Sequence, residues 1–197
     1  MCGIIFVGTK SSQRRTVIPE VPELVPLPVI SEDIHPPFPV ASDDEVEFIE
    51  EKPSRSDIAK NERGMFVVID KSAYTMEVFN DGKQVKKYPI AVGKNLGDKQ
   101  RVGDMRTPEG EFPIVQIQNA SSWTHDFRDG KGNIKGAYGP YFIRLGTPGW
   151  TGIGIHGTHA PDSIGTNITE GCIRLNNNDV AELRRLVKIG DKVVIRD

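Results

Sequence analysis

GIGIHGTHAPDSIGTNITEGCIRLNNND, residues 152–179, reads as a short strand, a loop rich in Gly, Thr and Asn, a lone cysteine, and the opening of a helix. Cys172 is one of two cysteines in the chain, and the other, Cys2, lies at the extreme terminus, so Cys172 is read as a free thiol. A thiol is a useful nucleophile only as a thiolate, which near neutral pH requires a neighbouring base or a positive field. His156 ends the GIGIH strand sixteen positions before Cys172, and a loop that folds back would bring the two together. Gly171 permits a backbone conformation in which the N–H groups of Gly171 and Cys172 converge on one point, forming an oxyanion hole from main chain alone. Arg174, two residues on, falls on the same side of a strand as Cys172, where its charge could hold a substrate carboxylate or the thiolate. A lone Cys is most often a small buried hydrophobe and a lone His a structural residue. The joint pattern is what points to nucleophilic chemistry.

Working outward, MFVVID (Met65–Asp70) and YTMEVF (Tyr74–Phe79) are rich in β-branched and aromatic residues, and Asp81-Gly82 supplies the positive φ of a tight hairpin. Gln84–Val92 pairs back as a third strand, and Gly110–Gln118, Pro140–Leu145, Gly152–His156 and Lys192–Arg196 continue the pattern of short strands between Gly and Pro turns. One helix is predicted, over NNNDVAELRRLVKIG, with Asn176 as its cap, Val180, Leu183, Leu186 and Val187 as its apolar face, and Gly190 as its end. The body is therefore mainly β with one short C-terminal helix.

Residues 1–63 differ in character. Eight prolines lie between Pro19 and Pro53, and an acidic run spans Asp43 to Glu51, giving this segment a net charge of -5 against +3 for residues 64–197. Such a composition buries too little apolar surface to offset ordering, and it predicts a disordered Pro-rich acidic tail. The apolar run Cys2–Gly8 is too short to span a bilayer; followed by the basic KSSQRR, it is expected to be either a floppy terminus or the remnant of a membrane anchor. A net charge of -2 over 197 residues excludes a generic nucleic-acid binder, which carries a basic excess or stripe.

The sequence strongly resembles the YkuD-type L,D-transpeptidase catalytic domain family. IHGT (Ile155–Thr158), TEGCIRLNNNDV (Thr169–Val180) and an upstream TPEGEF (Thr107–Phe112) match its motifs, and the resemblance covers about Gly64 to Asp197. It implies a β-sandwich or barrel-like catalytic domain. It also implies that Cys172 is the nucleophile, that His156 is the base, that the Gly157 carbonyl orients the imidazole, and that Gly171 and Cys172 donate to the oxyanion. Thr169 matches the position that supports the loop, and Arg174 the motif arginine, both placed on the substrate side. Glu170 stands where the family commonly has His; a bend at Gly171 would put it at the cleft rim, in contact with substrate.

The implied reaction is cleavage of peptidoglycan stem tetrapeptides after the third residue, with transfer to an amine of another stem or of a wall-bound protein. The alternatives are hydrolysis, as an L,D-carboxypeptidase, and a non-catalytic wall-binding module. No cofactor is implied, and a zinc site from His156, His159 and Cys172 would lack a fourth ligand and supporting partners. His159 is expected at the mouth of the cleft. Because the wall lies outside the cytoplasmic membrane, an exported protein is expected, in the periplasm or cell wall.

Overall fold

The computed structural model describes residues 62–128, 130 and 132–197. The tail and the apolar run expected at the N-terminus lie outside the described residues, apart from Glu62 and Arg63. The described residues fall in one compact unit.

Strands β1 (Met65–Asp70), β2 (Thr75–Asn80) and β3 (Lys83–Pro89) form an antiparallel meander. Its second turn has Asp81 and Gly82 both at positive φ, 47° and 77°, the geometry that matches the twist of a two-residue hairpin. Tyr74, expected to open the second strand, is instead left-handed at φ 51°, and the third strand ends at Pro89, before a separate β4 (Val92–Gly93). The sheet then grows around β5 (Gly110–Asn119). Its first residues pair with β12 (Lys192–Arg196) and its later ones with β8 (Tyr141–Leu145), with an irregularity in register between Ile114 and Gln116. A bulge of this kind bends and twists a strand, which lets one strand serve both halves of a curled sheet. With β9 (Gly154–His156) and β11 (Ile173–Arg174), the order is β11-β9-β8-β5-β12-β1-β2-β3. Two small ladders accompany it, β10 (Asn167–Thr169) with β4 and β6 (Thr124–Asp126) with β7 (Asn133–Lys135).

Alternation decides the core. Val67 and Ile69 on β1, Ile143 on β8, Ile155 on β9, Ile173 on β11 and Val193 on β12 share one buried cluster with Val180 and Leu183 of the helix. On the opposite face of β1, Phe66 and Val68 pack with Phe79 and Val194, the two phenylalanine rings stacked at 5.0 Å. The helix, α1 (Asn177–Leu186), has its predicted place and N-cap residue but neither the capping bond nor the predicted end. Asn176 occupies the N-cap, yet its side chain donates to Asp179 Oδ2 at 3.2 Å rather than accepting from the backbone. The helix ends at Leu186, where Val187 turns extended; Gly190, at φ 94°, belongs to the following turn into β12.

Because Leu183 is fully buried beneath the sheet that carries β9 and β11, Leu183→Ala should cost about 2–5 kcal/mol of unfolding free energy. Asn176→Ala should cost much less, since no capping bond to the backbone is lost. Urea unfolding of both variants checks the contrast.

Candidate active site

The β9 strand delivers His156 to the face of the sheet opposite the aliphatic core. Ile155 and Ile173 are in register, as are His156 and Arg174, so His156, Arg174 and, by alternation, Cys172 share that face. An aromatic layer covers it. The Phe142 ring lies parallel to the imidazole at 5.6 Å, and Tyr138 meets it edge-on at 5.0 Å. The His156 Nδ1 contacts the Gly157 carbonyl at 2.6 Å. A carbonyl only accepts, so Nδ1 carries the proton and Nε2 presents its lone pair. The next residues are braced from α1: Asn177 Oδ1 accepts from the Thr158 N–H at 2.8 Å, and a Cβ on Gly157 would lie 2.3 Å from that same oxygen.

Cys172 sits half-buried immediately before β11, its Sγ donating to the Gly152 carbonyl at 3.3 Å. Gly171 before it is at φ 129°, and a Cβ there would come within 2.7 Å of the Arg106 carbonyl, so a side chain is excluded twice over. Thr169 makes the bend: its Oγ1 donates to the Cys172 carbonyl at 2.6 Å and accepts the Gly171 N–H at 3.2 Å. Thr169, buried, thus supports the loop as its motif position implied, and the Gly171 N–H, expected to face an oxyanion, is engaged by Thr169.

Arg174 lies deep on that face, its charge acting on the Cys172 thiol. It is only 5% exposed, with Nη1 donating to Ser163 Oγ at 2.9 Å, its guanidinium 5.9 Å from the Phe127 ring, and Nε without a partner. Alternation gave its face correctly, and an aromatic ring from outside the strand lies over its guanidinium. Glu170 is at the rim and exposed, its Oε2 3.2 Å from His125 Nε2, whose Nδ1 in turn meets the Tyr138 hydroxyl at 3.0 Å. His159 is exposed on the loop beyond, its ring 5.3 Å from Phe127. Among the described residues no group of three or more His, Cys, Asp or Glu side chains is arranged to hold a metal.

Cys172 and Glu170 open onto a cleft of about 950 Å³, walled by Trp123, His125, Tyr138, Arg144 and Trp150 among others. None of these walls was singled out from the sequence. The alternation of Phe142 and Arg144 within PYFIRL carried a signal, since it sets both on one face, but the face acquires meaning only once β8 is known to flank β9.

Burial dominates the electrostatics. It pushes the Cys172 thiol up to about 11, with Glu170 adding to the rise and the Gly154 backbone, Arg144 and Arg174 opposing it. Burial likewise pushes His156 down to about 4, aided by the charges of Arg174 and His125 and opposed by the Gly157 carbonyl. At neutral pH the pair is thus a neutral thiol beside a neutral imidazole.

Residues 64–195 match the family model of the YkuD L,D-transpeptidase catalytic domain, two thirds of the chain. The chain belongs to that family. Its similarity to the YkuD proteins of Bacillus licheniformis and Bacillus subtilis is 36% and 35% identity over 129 residues, 66% of this chain. The chain spans 64% of the length of each of these relatives. The fold is shared with an L,D-transpeptidase of Mycobacterium smegmatis at a TM-score of 0.52 and 23% identity, covering 68% of this chain and 58% of that one. The mainly β architecture, with a curled sheet and, among the described residues, one α-helix, is that of an L,D-transpeptidase catalytic domain.

Alkylation of Cys172 by iodoacetamide should keep accelerating through pH 9 and reach half its limit near pH 11. Glu170→Gln should move that midpoint down by less than about one pH unit, because an exposed carboxylate is screened and burial is the larger cause. A midpoint below about 8 in the unmodified protein would show instead a standing thiolate.

Proposed function

We propose that this domain is a peptidoglycan L,D-transpeptidase that uses Cys172 as nucleophile. The observation that supports this best is the imidazole locked by the Gly157 carbonyl, its Nε2 free on the face that also carries the thiol at the cleft floor. Sγ attacks the carbonyl of the third residue of a stem tetrapeptide while Nε2 takes the thiol proton. The carbonyl–nitrogen bond then breaks, the departing D-alanine amine receives that proton from His156, and a thioester remains. An amine of a second stem, or of a wall-bound protein, attacks the thioester, forms the new amide and returns the thiol.

Because the resting pair is neutral, proton transfer accompanies attack rather than preceding it. The developing oxyanion needs main-chain donors, so the Gly171 N–H must leave Thr169 Oγ1 to serve as one. Water in place of the amine would make the same site an L,D-carboxypeptidase. The substrate lies outside the cytoplasmic membrane, so the reading carries export with it; among the described residues no helix is long and apolar enough to cross a membrane.

Incubation with defined tetrapeptide muropeptides, followed by mass analysis, should give cross-linked dimers with loss of D-alanine. Cys172→Ala should fold normally and form none, and His156→Ala should lose about 10²–10⁴ in rate, with the double variant little worse than either. Cross-linking by a well-folded Cys172→Ala protein would defeat the mechanism, and a folded protein yielding only tripeptide would favour hydrolysis. On the acid side, the base works only as neutral imidazole, so kcat/KM should hold from neutrality to about pH 5 and fall by half near pH 4. A midpoint near 6.5 would place the operative imidazole in solvent.

A further inference from the structure

The cleft holds a guanidinium beside the thiol, and it belongs not to Arg174 but to Arg144. Arg144 on β8 is in register with Gly154 on β9. The β9–β11 register, Ile155 with Ile173, puts Cys172 on the far side of that same glycine. Side chains in register on neighbouring strands point to one face, so Arg144, Gly154 and Cys172 form a row across three strands whose middle position is empty of side chain. The gap is enforced: a Cβ on Gly154 would lie 2.3 Å from Phe142 Cε1. Two strand spacings, about 10 Å between Cα atoms, separate the arginine from the cysteine, and a small acyl substrate bridges such a distance.

The guanidinium is poised rather than spent. Its Cζ lies 5.2 Å from the Phe142 ring centroid, a support that holds the planar fork in place, and Arg144 lines the cleft together with Cys172. No carboxylate of a described residue pairs with it. Of the other cations lining the cleft, Lys99 is already bound to Asp104 at 2.7 Å, and Arg128 lies on the β6–β7 hairpin rather than in the row that holds Cys172. A supported fork facing a reacting centre, with no counter-ion among the described residues, is suited to an incoming carboxylate.

We propose that Arg144 binds the α-carboxylate of the amino acid that departs from the donor stem, and of the amine-bearing residue that replaces it. This rests on the transpeptidase reading of the cleft. In the departing residue the carboxylate sits one carbon from the nitrogen whose bond breaks, so a group in the row beside the thiol reaches it. Attack of the acceptor on the thioester retraces that departure, and the new amine enters where the old one left. The S–C bond forms and the C–N bond breaks with the proton carried by His156; the carboxylate itself is unchanged and simply exchanges partners at the guanidinium. The substrate class follows: donors that end in a free carboxylate, and acceptors whose amine and carboxylate share one carbon, over carboxamides and simple alkylamines.

The test compares a synthetic stem tetrapeptide ending in D-alanine with its C-terminal carboxamide, using the full chain, Arg144→Gln and Arg144→Lys. The unmodified protein should favour the acid by about tenfold to a hundredfold in kcat/KM, the scale of a charge-assisted contact. Arg144→Gln should collapse that ratio towards one, chiefly through KM for the acid, and Arg144→Lys should restore part of it. Equal turnover of both donors by the unmodified protein overturns the inference while leaving the transpeptidase reading intact. An equal loss on both donors in Arg144→Gln, with the alkylation midpoint of Cys172 displaced upward, also overturns it, by assigning Arg144 to the thiol's field alone. Absence of turnover on either donor by the unmodified protein, with Cys172 still alkylated, defeats the reading and the inference together.

Discussion

A parallel pairing must hold together segments that its crossover leaves free to separate, and here it consists of two rungs, Ile155 with Ile173 and His156 with Arg174. So short a ladder survives because both of its faces are packed. On one side Ile155 and Ile173 are fully buried in the aliphatic core, and on the other the histidine is held between Phe142 and Tyr138. The Leu175 N–H closes the ladder on the His156 carbonyl at 2.8 Å, while Arg174 exchanges hydrogen bonds with Ala91 on its outer edge. Period-two alternation then does the rest. A slip of one residue would exchange His156 for Ile155 and dissolve core and site at once, so the register that builds the hydrophobic interior also sets the chemistry.

Placing the thiol and imidazole under an aromatic layer has an electrostatic consequence opposite to that of an exposed cysteine–histidine pair. Desolvation penalises both ions, so thiol and imidazole rest neutral, and in the proposed mechanism they stay so until a substrate carbonyl accepts electron density. The scaffold supports this with neutral backbone contacts rather than with a carboxylate: Gly157 fixes the imidazole, Gly152 accepts from the thiol, and Thr169 fastens the bend between them and the strand. Each of these contacts is made by a backbone atom or a short hydroxyl, so the site depends on close approach, which Gly171 and Gly157 permit and any side chain would prevent.

The sequence made legible those features that rest on local chemistry. The β1–β2–β3 meander, the Asp81-Gly82 turn and the position of α1 follow from alternation, positive-φ residues and an apolar face, and the structure has them. The small ladders β4–β10 and β6–β7 were not legible, because strands of two or three residues owe their pairing to distant segments rather than to their own propensity. Within the site, the side of the sheet could be read for Cys172 and Arg174, but depth could not. Alternation says which way a side chain points and is silent about what lies above it. For Arg174 that covering includes Phe127, from a hairpin the sequence reading did not foresee, and for Glu170 the partner His125 comes from the same hairpin.

The two arginines near Cys172 therefore divide by depth. Arg174 lies under the aromatic layer with one hydrogen bond to Ser163, and burial weakens its hold on its own proton while the neighbouring Cys172 strengthens it. A buried cation with so few partners is costly unless a negative charge develops nearby, and in the proposed mechanism one develops on Cys172. Its field lowers the thiol against the burial that raises it, an interaction whose full value comes only when sulfur turns anionic. Arg144, stacked on Phe142 at the cleft wall, acts on the same sulfur from the solvent side and remains open to a ligand. In the proposed reaction the two demands differ: one charge must be dry to act strongly on a neutral thiol, and the other accessible to exchange one carboxylate for the next.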